Sequence, residues 1–493
     1  MNKIVYSLVN FCKQEKYNKV EKLLSDKKKS LTWEDYFILS SLYLKDKDFK
    51  NIENYSRKIL EKLPSSRFAY NNFGNNLLNL KKTNKAISYF KKSLNFKKNE
   101  LDLKESIQKF FKEVSKYRKN KDLNSSKIIS EIETLRAKIA LRQIVTIGRP
   151  HFAELYNKIE ALVIFLNEIL NKLYKRKNTH SNLFIQKTLK KIIIQKSNFF
   201  LLFKLNADYE NPYFNLARCY LEKSQYEKSV NYFYLANKCD RTNKYNNKIL
   251  EIYYLLNEKK KFFQLLKKIK KQKKVDFNCL AISNFASEQW NLKNPYSFCE
   301  NPLNYVYKTN ILNNRNFNFK NLKMIEKEIK KNRNKLYTPV VIGHKSIGNL
   351  FESKTKNINN LKSVIKKNIN NYKKNFSDKK NLMINKFPDK YNLNAWFISL
   401  KKGGEVTSHI HDGWLSGVFY VKRPEDKRNF RGDIELTSRF KNLPLIKKTQ
   451  NRKTLRIKPG DLLLFPSSLP HRVIPFNMNK ERLSIAFDMK PTI

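Results

Sequence analysis

Two histidines stand two positions apart at the head of an alternating segment in the C-terminal part of the chain. His409 and His411 open the run His409–Val421. The residues that share the parity of both histidines are Leu415, Gly417, Phe419 and Val421. Because side chains alternate between the two faces of a β-strand, one long strand would place all six residues on one face. The alternation therefore predicts a strand that carries paired imidazoles.

A third histidine lies further along the same β-like region. The chain has only six histidines, and His471 is found in the segment Leu469-Pro-His-Arg-Val-Ile-Pro. A lone His-x-His on a strand is as often a hydrogen-bonded interior pair as a metal site, so a metal site requires that all three imidazoles converge. His344 lies beside Gly343 and Gly348 in a predicted turn within Val340–Phe351, and we leave it out of the site.

Short strand-like segments follow one another after Tyr391, separated by Gly, Pro and Asn. They are Asn394–Leu400, His409–Val421, Leu455–Pro466 around a turn at Pro459–Gly460, His471–Phe476 and Arg482–Asp488. This spacing is typical of two packed antiparallel sheets. We therefore predict a jelly roll, also called a double-stranded β-helix, with its core at about 391–490. Trp396, Trp414 and Tyr420 are interpreted as core residues rather than as a substrate platform.

The first part of the chain is predicted to be helical and carries a repeat. One unit begins at Trp33, and a second begins 34 positions later at Arg67. Further units begin at Glu210 and, more weakly, at Lys244. Small residues recur at the eighth and twentieth positions, as in Gly74 and Ala86 or Ala217 and Ser229, where paired helices would approach closely.

This pattern resembles a tetratricopeptide-repeat solenoid, whose period is 34 residues. The resemblance implies a surface that binds a protein or peptide partner. The phase is lost between about 101 and 209, where an apolar stripe at Ile159–Leu173 is typical of an amphipathic helix. We predict a helical repeat domain over 1–275 and a second domain over 276–493, hence an α part followed by an α+β part.

The charge of the chain is strongly positive. Lys and Arg number 101 against 43 Asp and Glu, a balance that favours anionic partners such as nucleic acid. The excess is spread along the chain and consists mostly of lysine, so we interpret it mainly as compositional background. Binding of nucleic acid through spread lysines stays open, but no stacking or RNA-binding motif supports it, and no specific nucleic-acid partner is predicted.

The cysteines and the hydropathy of the sequence indicate the cellular location of the protein. The five cysteines are scattered and form no CxxC pair, which is typical of reduced thiols in a cytoplasmic protein. No stretch approaches 18 uncharged apolar residues, and the N-terminal residues lack the apolar core of a signal peptide. We expect a cytoplasmic protein without a membrane partner.

The C-terminal motifs together resemble the 2-oxoglutarate/Fe(II)-dependent dioxygenases, especially members fused to tetratricopeptide repeats. That superfamily has a proximal His-x-Asp motif before a strand, a distal His, and an Arg often present as Arg-x-Ser. The corresponding residues here are His409, His411, the distal His471, Arg482 and Ser484. The resemblance implies Fe(II) as cofactor, 2-oxoglutarate and O2 as cosubstrates, and hydroxylation of a C–H bond coupled to formation of succinate and CO2.

The chain departs from this pattern at one position. His411 stands where the superfamily has Asp, and Asp412 is displaced by one residue. A shift of one residue along a strand turns a side chain to the opposite face, so we predict a three-histidine site, with Asp412 as an alternative ligand if the strand bulges. Arg482 and Ser484 are predicted to bind the distal carboxylate of 2-oxoglutarate, because a guanidinium offers it two parallel donors.

Two classes of function are compatible with these features. The first is an Fe(II)- and 2-oxoglutarate-dependent hydroxylase with a helical-repeat interaction domain. The second is a non-catalytic repeat scaffold whose jelly roll binds a metal or another ligand. Turnover of 2-oxoglutarate distinguishes them.

Overall fold

The computed structural model describes most of the chain outside the segments 1–30, 97–109 and 140–210. The described residues are 31, 35–37, 39–40, 48–96, 110–114, 129–133, 135–136, 139, 162, 165–170, 192, 211–240, 243–271, 275–296, 298–313, 317–331, 337–338, 341–345, 349–353, 355–377, 381–424, 432–440, 443–447 and 451–492. They fall into two compact units, Met1–Tyr245 and Asn246–Ile493.

The first unit is helical over its described residues. Its helices with defined bounds are Phe49–Lys62, Arg67–Asn79, Thr83–Leu94, Pro212–Glu222 and Tyr226–Asp240. Side chains cap several N-termini: Ser66 accepts from the amide of Ala69, and Asn211 accepts from the amide of Tyr213 ahead of the helix that starts at Pro212. Lys81 and Ser224 have positive φ angles of 59° and 55° and lie between the paired helices, where each chain segment reverses direction.

Small residues let these helices approach closely. A Cβ on Gly74 would lie 2.5 Å from Cε1 of Phe90 in the paired helix, so only glycine fits there. In the second hairpin, Oγ of Ser229 donates to the carbonyl of Ala217 at 2.8 Å. Helix Pro212–Glu222 packs against the hairpin of 67–94 despite their separation in sequence, through an apolar cluster that includes Phe73, Phe90 and Leu216.

The second unit contains further helices. They are Asn246–Leu255, Lys259–Lys270, Phe277–Trp290, Phe319–Lys331, Lys356–Asn375 and Leu382–Asn385, together with short 3-10 turns at Pro302–Tyr305, Ile311–Asn313 and Leu350–Glu352. The hydroxyl of Tyr254 donates to the carbonyl of Pro444 at 2.7 Å, and Oε1 of Gln289 accepts from the amide of Ile446. These contacts connect residues 246–290 to the β-rich part of the same unit. The domain boundary at 275/276 that was drawn from the sequence stays a prediction.

Eleven strands form one antiparallel sheet in the described part of this unit. They are β1 (Tyr307–Asn310), β2 (Tyr337–Thr338), β3 (Val341–Lys345), β4 (Tyr391–Leu400), β5 (Val406–His409), β6 (Leu415–Lys422), β7 (Ile434–Thr437), β8 (Arg452–Leu455), β9 (Asp461–Pro466), β10 (His471–Val473) and β11 (Arg482–Pro491). The order is β1-β9-β6-β11-β4-β3-β5-β10-β7-β8, and β2 pairs with β3.

The sheet folds over an apolar core. Strands β6 and β7 are not neighbours in the sheet, yet Val418 and Tyr420 of β6 share one buried cluster with Leu436 of β7. Ala486 of β11 belongs to the same cluster, so the even-numbered residues of β11 face the interior between the two layers. The odd-numbered residues face the other way, where Phe487 contacts Phe351.

The predicted single strand over His409–Val421 is wrong. Strand β5 ends at His409 and β6 begins at Leu415, and they pair with different neighbours in the sheet. The chain turns at Asp412-Gly413, where a Cβ on Gly413 would lie 3.1 Å from the carbonyl oxygen of Met489. The two histidines therefore do not share a strand face with Leu415, Gly417, Phe419 and Val421.

His344 also differs from its prediction. It lies on β3 rather than in a turn, paired with Ser399 of β4, because β3 bridges β4 and β5 across the sheet. The first predicted repeat begins at Trp33, which lies outside the described residues, as does most of the stripe Ile159–Leu173.

Replacing Gly417 by Ala should destabilise the β-rich unit. The added Cβ would fall inside van der Waals distance of the Phe487 ring on the neighbouring strand β11. Overpacking of this kind costs about 1 to 3 kcal/mol. We expect a lower midpoint of thermal unfolding for Gly417→Ala in the full chain. The double variant Gly417→Ala/Phe487→Leu should recover part of the loss, and a wild-type midpoint for the single variant would contradict this packing.

Candidate metal centre

Three imidazoles converge at one end of the sheet. The potential ligand atoms of His409, His411 and His471 all lie within 4.8 Å of one another. Among the described residues, these three side chains form a group that could hold a metal ion. Strands β5 and β10 pair so that His471 stands directly opposite His409. His411 lies two residues beyond the end of β5, where its amide donates to the carbonyl of Ser467 at 3.0 Å.

The hydrogen bonds of the three rings fix their tautomers. Nδ1 of His409 lies 2.8 Å from the carbonyl of Thr407, and Nδ1 of His471 lies 3.1 Å from the carbonyl of Leu469. A carbonyl oxygen only accepts, so both Nδ1 atoms carry the proton. Nδ1 of His411 lies 3.0 Å from Oδ2 of Asp488, which accepts in the same way. An imidazole that carries its proton on Nδ1 has its lone pair on Nε2.

The spacing of these lone pairs fits a bound cation. Nε2 of His409 and Nε2 of His411 are 3.1 Å apart. Two nitrogens that each lie about 2.1 Å from one metal ion at a right angle are about 3.0 Å apart. Two facing lone pairs at this separation would otherwise repel, or one ring would have to carry a second proton. A metal ion satisfies both nitrogens without that proton.

Burial keeps the ring of His471 neutral. His471 is 6% exposed, and burial followed by the neighbouring His409 and His411 holds its pKa well below the usual value. The ring of Phe465 packs edge-on against His471, with centroids 4.7 Å apart. Trp396 stacks on His411 at 5.5 Å, so this tryptophan is part of the core, as predicted, and also supports a histidine of the group.

Asp488 is buried at 5% exposure beside this group. Burial alone would raise the pKa of its carboxyl, but the charge interaction with His411 and the hydrogen bonds from His411 and Ser416 lower it. Asp488 therefore stays a carboxylate. No role for Asp488 was predicted from the sequence, although an acidic residue at an inward-facing position of an apolar strand is a recognisable signal.

Asp412, the alternative ligand, is exposed and is not part of the histidine group. The turn at Asp412-Gly413 directs the chain from β5 into β6 without a bulge that would bring this carboxylate to the imidazoles.

Arg482 lies on the interior face of β11 and is 1% exposed. Its Nε donates to the carbonyl of Gly432 at 2.8 Å, and its Nη1 donates to Oγ of Ser484 at 3.1 Å. The guanidinium carbon lies 5.2 Å from the centre of the Tyr420 ring, and burial lowers the pKa of this arginine. Within the described residues no carboxylate forms an ion pair with it, so a buried positive charge is left with donors for an anionic ligand.

Comparison with known proteins identifies the chemistry of this region. Residues 394–488 match the model of the family described as "Putative 2OG-Fe(II) oxygenase". A crystal structure of a Pseudomonas putida prolyl-4-hydroxylase is similar at 12% identity and a TM-score of 0.28, over 38% of this chain and 93% of that chain. No match was found among curated proteins.

The family match covers all three histidines, and the histidine group fits an iron site. The predicted dependence on Fe(II), 2-oxoglutarate and O2 is confirmed. The match over residues 394–488 supports the predicted enzyme class, a 2-oxoglutarate/Fe(II)-dependent dioxygenase.

Proposed function

We propose that His409, His411 and His471 are the three iron ligands, each through Nε2, and that Asp412 is not a ligand. The observation that carries this proposal is the convergence of the three rings, whose potential ligand atoms lie within 4.8 Å of one another while each Nδ1 is hydrogen-bonded to another group. Three nitrogen ligands from the protein would leave coordination positions open for cosubstrate and oxygen. When bound, Fe(II) supplies the O2 chemistry that couples formation of succinate and CO2 to hydroxylation of a C–H bond.

Arg482 and Ser484 are proposed to bind the distal carboxylate of 2-oxoglutarate. The support is a fully buried guanidinium whose contacts are a carbonyl, a hydroxyl and an aromatic face. The charge of Asp433 acts on Arg482, but that carboxylate is paired with Arg423. A buried cation without a directly paired carboxylate is costly, and a dicarboxylate would supply one. The contact with Tyr420 and the hydrogen bond to Gly432 hold the guanidinium in place before the ligand arrives.

The surroundings of the histidines are suited to excluding water. Trp396 and Phe465 contact the rings of His411 and His471, and both belong to the buried cluster of the sheet. Apolar walls strengthen the electrostatic interactions inside the site and protect reactive species from side reactions. This environment supports a hydroxylase rather than a simple metal-storage site.

We further propose that the sheet is the double-stranded β-helix of this enzyme class and that the helical unit is a tetratricopeptide-like solenoid that presents a protein or peptide partner. The close approach of Gly74 to Phe90 and the hydrogen bond between Ser229 and Ala217 occur at the small-residue positions of the repeat. The described cysteines Cys219, Cys239, Cys279 and Cys299 are free thiols, which is compatible with a cytoplasmic location. Among the described residues, no helix is both long and apolar enough to cross a bilayer.

Activity should depend on His471 and not on Asp412. We expect the full chain, purified anaerobically and supplied with Fe(II), to release succinate from 2-oxoglutarate. His471→Ala should lower this rate by more than about 100-fold, because loss of a direct ligand exceeds the 10- to 100-fold effect of a supporting residue. Asp412→Asn should stay within about twofold of wild type. If Asp412→Asn lost activity as His471→Ala does, the aspartate would be the ligand.

Arg482 should control the affinity for 2-oxoglutarate. Arg482→Lys keeps the charge but loses the paired donors, and hydrogen bonds to charged groups contribute about 1.5 to 3 kcal/mol. We expect the Michaelis constant for 2-oxoglutarate to rise by roughly 10- to 100-fold. Arg423→Lys is the matched control, since the side chain of Arg423 is 9% exposed and already paired with Asp433 at 2.9 Å. An unchanged Michaelis constant in Arg482→Lys would assign the carboxylate to another residue.

A further inference from the structure

Asp488 occupies a distinctive place beside the histidine group. It is the last fully inward-facing residue of β11, in register with Ser416 of β6 and Asn394 of β4. Both of its oxygens are engaged. Oδ2 accepts from Nδ1 of His411 at 3.0 Å, and Oδ1 accepts from Oγ of Ser416 at 2.8 Å. The carboxylate is thus held from two sides and points at one particular ring.

The three histidines differ in what their Nδ1 atoms contact. His409 and His471 each donate to a backbone carbonyl, a neutral acceptor supplied by Thr407 and Leu469. His411 differs from these two because its Nδ1 donates to a carboxylate, that of Asp488. His411 is also the residue that stands where this enzyme class usually has a carboxylate ligand. The negative charge missing at position 411 is therefore present one hydrogen bond further from the metal position.

We propose that Asp488 is a positioning residue: it fixes the tautomer and orientation of His411 and places a carboxylate one hydrogen bond away from the metal position that the three imidazoles would form. The proposal rests on the assignment of His411 as an iron ligand. A ligating imidazole that donates its other N–H to a carboxylate becomes a stronger base, and such partners change metal affinity by about 10- to 100-fold.

The other contacts of His411 hold this residue but do not fix its tautomer. The backbone of His411 is already held by the hydrogen bond from its amide to the carbonyl of Ser467, and the face of its ring is held by Trp396. Neither contact distinguishes the two tautomers, because a stacking contact and an amide hydrogen bond do not involve the ring nitrogens. The hydrogen bond to Asp488 does, since an ionised carboxylate accepts but cannot donate.

Ser416 completes the arrangement. Its hydroxyl donates to Asp488 and lies 2.8 Å from Oγ of Ser467. A buried carboxylate is stable when its oxygens are satisfied, and here the serine and the imidazole satisfy one oxygen each. Ser416 therefore supports His411 indirectly, through Asp488 and through Ser467, whose carbonyl accepts from the amide of His411.

The test is metal binding by the full chain, with Co(II) as the probe under anaerobic conditions. Asp488→Asn preserves the shape of the side chain and removes its charge. We expect its dissociation constant for Co(II) to rise by about 10- to 100-fold, with altered visible absorption bands of the bound ion. Ser416→Ala should show a smaller rise in the same direction. The matched control is Asp461→Asn, a buried carboxylate of β9 that pairs with Lys308 at 3.0 Å, and it should bind Co(II) as wild type does.

The outcomes separate this inference from the proposed function. If Asp488→Asn retains a folded apo form, by thermal unfolding, and binds Co(II) with wild-type affinity and spectrum, the positioning role is wrong while the histidine site can stand. If Asp488→Asn binds Co(II) weakly and the wild type, supplied with Fe(II) and O2, does not turn over 2-oxoglutarate, the positioning role holds and the hydroxylase proposal fails. If His411→Ala binds Co(II) as tightly as wild type, His411 is not a ligand and the inference falls with it.

Discussion

The pairing of two short strands, β5 and β10, is the contact on which the candidate centre depends. It sets His409 opposite His471, two residues far apart in sequence, and leaves His411 just beyond the end of β5. Each imidazole then donates from Nδ1 to a fixed acceptor. The potential ligand atoms of the three rings lie within 4.8 Å of one another, a spacing that suits the group to one metal ion.

Strand β11 contributes the charged residues of the interior. Its inward face carries Arg482, Ser484, Ala486 and Asp488 in alternate positions, between apolar residues that face the helices. Asp488 is balanced by His411 and Ser416, whereas Arg482 has neutral contacts and an aromatic face among the described residues. One strand thus holds a satisfied anion at the metal end of the sheet and a cation suited to a dicarboxylate further along.

The sequence predicted much of this region and failed at identifiable points. Strands β4, β9 and β11 were predicted because each is a continuous or alternating apolar run. The error at His409–Val421 arose because the alternation continues in phase through the turn at Asp412-Gly413, so that periodicity alone could not show the break. Strand β7 was missed because it is short and mixed in composition. Asp488 was overlooked because its meaning comes from a ring that is 77 positions away.

Sequence alone determined the ingredients: the 34-residue period of the helices, the strand-forming runs, and the few histidines and the arginine that match an oxygenase motif. These are local properties, set by side-chain spacing and residue type. Only the tertiary structure decided which face each side chain takes, that Asp412 points to solvent, and that a carboxylate from β11 reaches His411. The physical reason is that register and chain reversal are fixed by contacts between distant strands, and no window of sequence contains both partners.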